Sequence, residues 1–329
     1  MVVGGQFGDE GKGKIVSYLA LNDNPTAAVR GGVGPNAGHT VIHDGEMFKF
    51  RMLPSAVINK DVKLMIGSGV LVDPNVLLDE VRKFKVSSRV MVDNMCGIIE
   101  EKHIERDTQG YLKDKIGTTG TGTGPAQADR IMRTATVARE LPSLSNLVGD
   151  VSSKINEIID CGELVLVEGT QGTFLSLYHG TYPYVTSKDV TASSICADVG
   201  IGPKRIDEVI VVYKAYTTRV GGGPLEDELT TEEIERRGWK EVGTVTGRVR
   251  RAAPLKPQLA KKAAVLNSAT QIALTKLDIL FPECKGVREI SKLSSEAKGF
   301  VRKLEDYTGI PITLIGTGQD DRDIIDRRV

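Results

Sequence analysis

"GGQFGDEGKGK", Gly4 to Lys14, lies between the apolar "MVV" at residues 1–3 and the helix-like "IVSYLAL" at 15–21. An apolar strand, a glycine-rich turn and an amphipathic helix in that order form the unit that presents backbone N–H groups to phosphate. Against the pattern GxxxxGK[ST], Gly8, Gly13 and Lys14 are in place, but Ile15 stands where a Ser or Thr hydroxyl would bind magnesium. The loop also carries Asp9 and Glu10, which repel phosphate unless they have a task of their own. Asp9 is the nearest hard oxygen to replace the missing hydroxyl. It can serve as a Mg²⁺ ligand, as a base toward a second substrate, or as both.

Outward from this loop, short apolar runs alternate with amphipathic ones, the pattern of an α/β fold. Strands are predicted in "AAVRG" (27–31), "VKLMIG" (62–67), "RVMVD" (89–93), "ELVLVEG" (163–169), "EVIVVYKAY" (208–216), "QIALTKLD" (271–278) and "PITLIGTG" (311–318). Several are apolar throughout, as parallel strands covered on both faces are. Helices are predicted over 74–84, 141–161, 256–268 and 294–309, two of them starting near a proline and the last stopping at Gly309. There is no repeat, low-complexity tract or linker. The expectation is a single domain over 1–329: a large, mostly parallel central sheet flanked by helices, with a P-loop-like nucleotide-binding core and long glycine-rich ligand loops.

Lys+Arg and Asp+Glu number 43 each, a balance that gives no basic face for nucleic acid or a membrane surface. No apolar run approaches the roughly 18 residues of a membrane span. Cys96, Cys161, Cys196 and Cys284 lie far apart without zinc-ligand spacing, and read as reduced, buried residues. With Met1-Val2-Val3 running straight into the glycine loop, there is no signal-peptide pattern, so the expected compartment is the cytoplasm. His43 and His103 sit in no motif and read as surface residues.

"LTKLD" (274–278) has the form of a guanine-reading element. Its aspartate, Asp278, accepts from N1–H and the 2-amino group, and the stem of Lys276 lies along the base. Adenine has no 2-amino group and leaves such a carboxylate unpaired, so GTP is expected over ATP.

Together and in order, "GDEGKGK" (8–14), "NAGHT" (36–40), "GTTGTGTGPA" (117–126), "EGTQGT" (168–173), "HGTYPYVTS" (179–187), "TRVGGGP" (218–224), "TGRVRR" (246–251) and "LTKLD" resemble the adenylosuccinate synthetase family. These motifs run from the first residues to "GTG" (316–318), essentially the whole chain. The resemblance implies a GTP-dependent ligase that joins IMP to L-aspartate through 6-phosphoryl-IMP, in the AMP branch of purine biosynthesis. Asp9 would remove the N1 proton of IMP, and His39 would act as an acid toward the transferring phosphoryl group. Mg²⁺ would be held by Asp9 and the carbonyl of Gly38.

For IMP the family pattern implies Asp9, Glu10, Gly11 and Lys12, then Asn36, Ala37, Gly38 and His39, then Thr119, Gln171, Thr186 and Arg248. Arg133 would join them from the partner of a homodimer. L-Aspartate would meet Thr244, Val245, Thr246, Gly247, Arg248 and Arg250. GTP would lie along Gly8, Asp9, Glu10, Gly11, Lys12, Gly13 and Lys14, with Gly38, His39, Thr40 and Arg250 near its phosphates. Lys276, Leu277, Asp278, Gly316, Thr317 and Gly318 would surround its base.

The chain departs from the family in being short after Arg133 and after Asp278. It has Phe7 for a tryptophan, Thr121 where an arginine often stands, and Val249 within the arginine run. Two other readings compete: an ATP-using P-loop ligase, and a GTP-binding switch. Asp278 argues against the first. TGRVRR and HGTYPYVTS, which a switch does not need, argue against the second.

Overall fold

The computed structural model describes residues 1–243 and 247–328. Ten strands form one sheet in the order Ile324–Asp326, Ile312–Gly316, Gln271–Thr275, Ile210–Lys214, Val2–Gly4, Val165–Glu168, Ala27–Arg30, Lys63–Ile66, Val90–Asp93 and Val148–Gly149. Neighbours pair in parallel except at the edge strand Ile324–Asp326.

Successive side chains of each inner strand enter opposite cores. Val3, Val167, Val211 and Ile272 pack on one face, and Val2, Leu166, Val212 and Ala273 on the other. This two-sided burial is why the strands read as apolar runs rather than alternating ones. From the innermost strand, Val2–Gly4, the chain builds outward to one side and then returns to the other. That makes its C-terminal end the switch point where open α/β sheets bind ligands.

The phosphate loop leaves that end and turns into helix Lys12–Asn22, entered through Gly11 at φ 90°. Ile15 is fully buried in the core, so the position lacking a hydroxyl faces the interior. Residues 39–50 form a hairpin, His39–His43 against Glu46–Phe50, that no sequence signal above was read to predict. Asp44 and Gly45 supply its turn, both with positive φ. The segment after Gly318 holds the hairpin in place: Asp321 N–H donates to the Ile42 carbonyl at 2.7 Å, and the Asp321 carboxylate bonds His43 Nδ1 at 3.0 Å.

Several predictions are corrected. Residues 141–161 are not one helix: a 3₁₀ turn Pro142–Leu144 and strand Val148–Gly149 precede helix Val151–Asp160, which Asp150 caps through Ser153 N–H. The run 208–216 breaks after Lys214, and Tyr216–Arg219 pairs instead with Arg251–Pro254 in a separate ribbon. His103 is buried, not a surface residue: its Nδ1 accepts from Glu100 N–H and its Nε2 faces Asp129 at 3.1 Å. His43 is partly buried against Asp321. Cys96, Cys196 and Cys284 are buried as predicted, whereas Cys161 is exposed.

Candidate active site

Loops at the C-terminal ends of the central strands enclose a cleft of about 780 Å³. In the phosphate loop the two carboxylates have separated roles. Glu10 is fully buried beneath the loop, where it accepts from Gln6 N–H (3.0 Å), Gly8 N–H (2.9 Å) and Lys12 Nζ (2.8 Å). It holds the turn closed. The backbone of Gly172 passes so near that an added Cβ would stand 2.2 Å from Glu10 Oε1 and 2.5 Å from Gly8 N, which ties "EGTQGT" to the loop. Lys12 also donates to the Gln171 carbonyl, so its ammonium is committed to the loop's own structure.

Asp9 lines the cleft and pairs with Arg250 Nη2 at 2.9 Å. Asp9, Gln171 and Lys276 all carry left-handed backbone, φ 61°, 49° and 61°. Such strain in non-glycine residues gathers at functional sites, where the surroundings hold it.

His39 opens the hairpin and lines the cleft with its ring anchored behind. Its Nδ1 bonds the Glu168 carboxylate, with Ser55 Oγ at 3.3 Å and Arg30 Nη1 at 3.4 Å. Burial alone would raise the Glu168 carboxyl; His39, Arg30 and Ser55 reverse this and hold it down to about 2. Burial lowers the His39 imidazole against the opposing pull of Glu168. The ionised carboxylate fixes the proton on Nδ1 and turns Nε2 away from the network.

Asn36, Gln171 and Thr186, widely spaced in the chain, meet in one cluster. Gln171 Nε2 donates to Asn36 Oδ1 at 3.0 Å, and Asn36 Nδ2 to Thr186 Oγ1 at 3.3 Å. Arg248 Nη1 donates to the Gly117 carbonyl at 2.9 Å, which brings the segment holding Thr119 to the same wall. Gly8, Gly11, Gly13, Ala37, Gly38, Thr40, Arg250, Lys276 and Gly318 also line the cleft. Arg219, on the motif "TRVGGGP", lies 4.6 Å over the Phe7 ring and donates to the Tyr184 carbonyl at 2.9 Å. An aromatic ring at position 7 is thus kept in use.

Lys14 Nζ donates to the carbonyls of Gly318 (2.7 Å) and Asp323 (2.9 Å). Burial pushes its pKa down to about 8. Asp278 is buried, and its Oδ1 has no hydrogen-bond partner among the described residues. Burial raises its pKa, against the pull of Lys276. A buried acceptor without a donor is costly.

Other predicted residues stand outside the cleft lining. Asp278 is buried behind the lining, Leu277 is in the core, Thr317 is buried with its Oγ1 on the Val287 carbonyl, and Gly316 and Gly247 do not line the cavity. Arg133 is exposed just beyond helix Thr123–Met132. Thr244, Val245 and Thr246 lie outside the described residues.

Sequence reasoning missed Arg30, Ser55, Glu168, Lys214 and Glu241. Glu168 alone had a usable signal, as a carboxylate ending a predicted strand inside a quoted motif. Asp9 and Glu10 both line the cleft at the phosphate loop, but the Glu10 carboxylate is taken up by Gln6, Gly8 and Lys12, and no group of three ligating side chains occurs among the described residues. That arrangement fits Mg²⁺, which takes one or two protein oxygens and completes its shell with phosphates and water.

A family model described as adenylosuccinate synthetase matches residues 1–144 and 135–285. An adenylosuccinate synthetase of Methanocaldococcus jannaschii is 55% identical over all of this chain and 96% of its own length; one of Archaeoglobus fulgidus is 53% identical over all of this chain and 98% of its own. These relatives are of nearly the same length, so the compactness is shared with them. A fully ligated adenylosuccinate synthetase from Plasmodium falciparum superposes with TM-score 0.92 at 25% identity, covering 99% of both chains. A cyanophage succinoaminodeoxyadenylate synthetase bound to dGMP and dATP superposes with TM-score 0.83 at 23% identity, over all of this chain and 95% of its own, and shares the fold. The family carries out the GTP-dependent joining of IMP and aspartate to adenylosuccinate in purine biosynthesis. This chain belongs to the adenylosuccinate synthetase family and is a GTP-dependent ligase.

Proposed function

We propose that this chain converts IMP, L-aspartate and GTP into adenylosuccinate, GDP and phosphate in two steps at one cleft. One observation carries the reading: Asp9 and the anchored His39 line the same cleft as the Asn36–Gln171–Thr186 cluster and Arg250. Asp9 takes the N1 proton of IMP. The resulting O6 attacks the γ-phosphorus of GTP and GDP departs, with Nε2 of His39 hydrogen-bonded to the phosphoryl oxygens. The amino nitrogen of aspartate then attacks C6, loses its proton, and phosphate leaves with the original O6. An amide-like oxygen that is a poor leaving group is thereby replaced by phosphate, so one hard step becomes two easier ones. Phosphoryl transfer asks mainly for positioning and charge neutralisation.

Mg²⁺, held by Asp9 and the Gly38 carbonyl, would offset phosphate charge when bound. The unpartnered Asp278 oxygen supports guanine as the base, since N1–H and the 2-amino group supply the donors it lacks. Exposed Ile131 (66%) and Met132 (71%) beside Arg133 support a homodimer in which Arg133 reaches the partner's IMP. Unpaired cysteines and nucleotide substrates support a cytoplasmic setting. No helix among the described residues is long and apolar enough to cross a membrane.

The test is incubation of purified protein with IMP, L-aspartate, GTP and Mg²⁺, following adenylosuccinate by chromatography. Product that requires all four components, and that is lost when ATP replaces GTP, is expected. GTP hydrolysis indifferent to IMP would refute the reading.

A further inference from the structure

Beside the phosphate loop lies a buried cluster of charges in which Arg250 and Lys276 meet Glu241, Lys214 and Tyr216, three groups that the reaction above does not use. Glu241 is 13% exposed and sits among Lys214, Tyr216, Arg250 and Lys276. Lys214 Nζ, fully buried, donates to Glu241 Oε2 at 2.9 Å; Tyr216 OH donates to Oε1; Lys276 Nζ stands 4.0 Å from Oε1. Burial alone would raise this carboxyl, but Lys214, Lys276 and Arg250 hold it down to about 2.

Glu241 and Arg250 meet twice. Arg250 N–H donates to the Glu241 carbonyl at 2.9 Å, and Arg250 Nη1 bonds the Glu241 carboxylate. Val242 and Val249 bridge antiparallel just inside that pair, so Glu241 and Arg250 close the neck of the segment they flank. The guanidinium is therefore shared between two carboxylates of unequal hold. Besides Arg250, the largely buried Glu241 is held by Lys214 and Tyr216 with Lys276 nearby, whereas Asp9 is 26% exposed on a loop. The buried Nε–H of Arg250 has no acceptor among the described residues.

We infer that Glu241 is a positioning residue for Arg250. It is the fixed anchor about which the guanidinium exchanges Asp9 for a carboxylate of the incoming dicarboxylate substrate. Such an exchange releases Asp9 only when the second substrate is in place, because one planar fork cannot satisfy three carboxylates at once. This rests on the reading of the site given above.

The test uses full-length protein and titrates L-aspartate at saturating IMP and GTP. Glu241→Gln alone leaves Lys214 buried without a counter-charge, so it is made together with Lys214→Met and compared with Lys214→Met alone. The double variant is expected to raise the KM for aspartate about tenfold over Lys214→Met, with a smaller change in the KM for GTP. Glu241→Asp keeps the counter-charge but shortens the reach to Arg250, and is expected to raise the same KM. It decides the matter if the double variant does not fold. An aspartate KM unaltered in these variants, or parallel losses in every parameter, overturns the inference. A wild-type protein that forms no adenylosuccinate would instead overturn the functional reading itself.

Discussion

Asp9 and Asp278 are both acids proposed to meet nucleotide, but their surroundings set opposite consequences for substitution. Asp9 is paired at the cleft wall, and Asp9→Asn keeps its size while removing the proposed base. Turnover is expected to fall at least about a thousandfold, the usual scale for losing a proton-transfer group, with GTP affinity changed only a few-fold; calorimetric titration beside the product assay checks both, and a variant with near-normal turnover would remove Asp9 from the chemistry. Asp278 is buried with one oxygen unpartnered, a local cost in the absence of ligand. Asp278→Asn should therefore stabilise the ligand-free protein, on the order of 1 kcal/mol in denaturant titration. It should also exchange GTP for XTP, whose 2-oxo group accepts from the new amide. A variant still preferring GTP would mean the base is read elsewhere.

Glu168, ending a central strand, holds the hairpin that begins at His39, so one carboxylate joins two elements to the chemistry. Glu168→Gln is expected to lower turnover by about 10²-fold or more, because the ring loses the anion that orients it; unchanged turnover would show that the hairpin orients itself. The same pair sets an acid limit. Glu168 has a folded-state pKa near 2 against an ordinary 4.5. Its contribution to stability is therefore complete above about 4.5 and is lost as pH falls toward 2. Acid unfolding followed by circular dichroism should show a shallower acid limb in Glu168→Gln.

This scale also shows what a sequence discloses. The phosphate loop and most central strands were legible because their patterns are local: glycine spacing, apolar runs, proline and glycine at helix ends. The Glu168–His39 contact spans 129 positions and the Glu241–Lys214 contact 27, and nothing local marks either. The hairpin was legible in principle from Asp44–Gly45, but no strand was read on either side of that turn. The helix read over 141–161 failed because Asp150 is an N-cap, so the apolar residues before it belong to another element.

At the scale of the whole molecule, the homodimer reading makes a quantitative prediction. Asp9→Asn and Arg133→Ala subunits should each be nearly inactive alone. After mixing and re-equilibration, half the dimers are hybrids and each hybrid has one intact site, so about a quarter of wild-type activity should return. No recovery, with exchange shown by mass spectrometry, would place Arg133 outside the partner's site. The central strand has a different consequence. Val2–Gly4 is the innermost strand, yet its partners Val165–Glu168 and Ile210–Lys214 lie far later in the chain. A nascent chain therefore carries its phosphate loop without a sheet beneath it until the strand Ile210–Lys214 has been made, so the loop takes its shape only after the segments that flank it in the cleft exist.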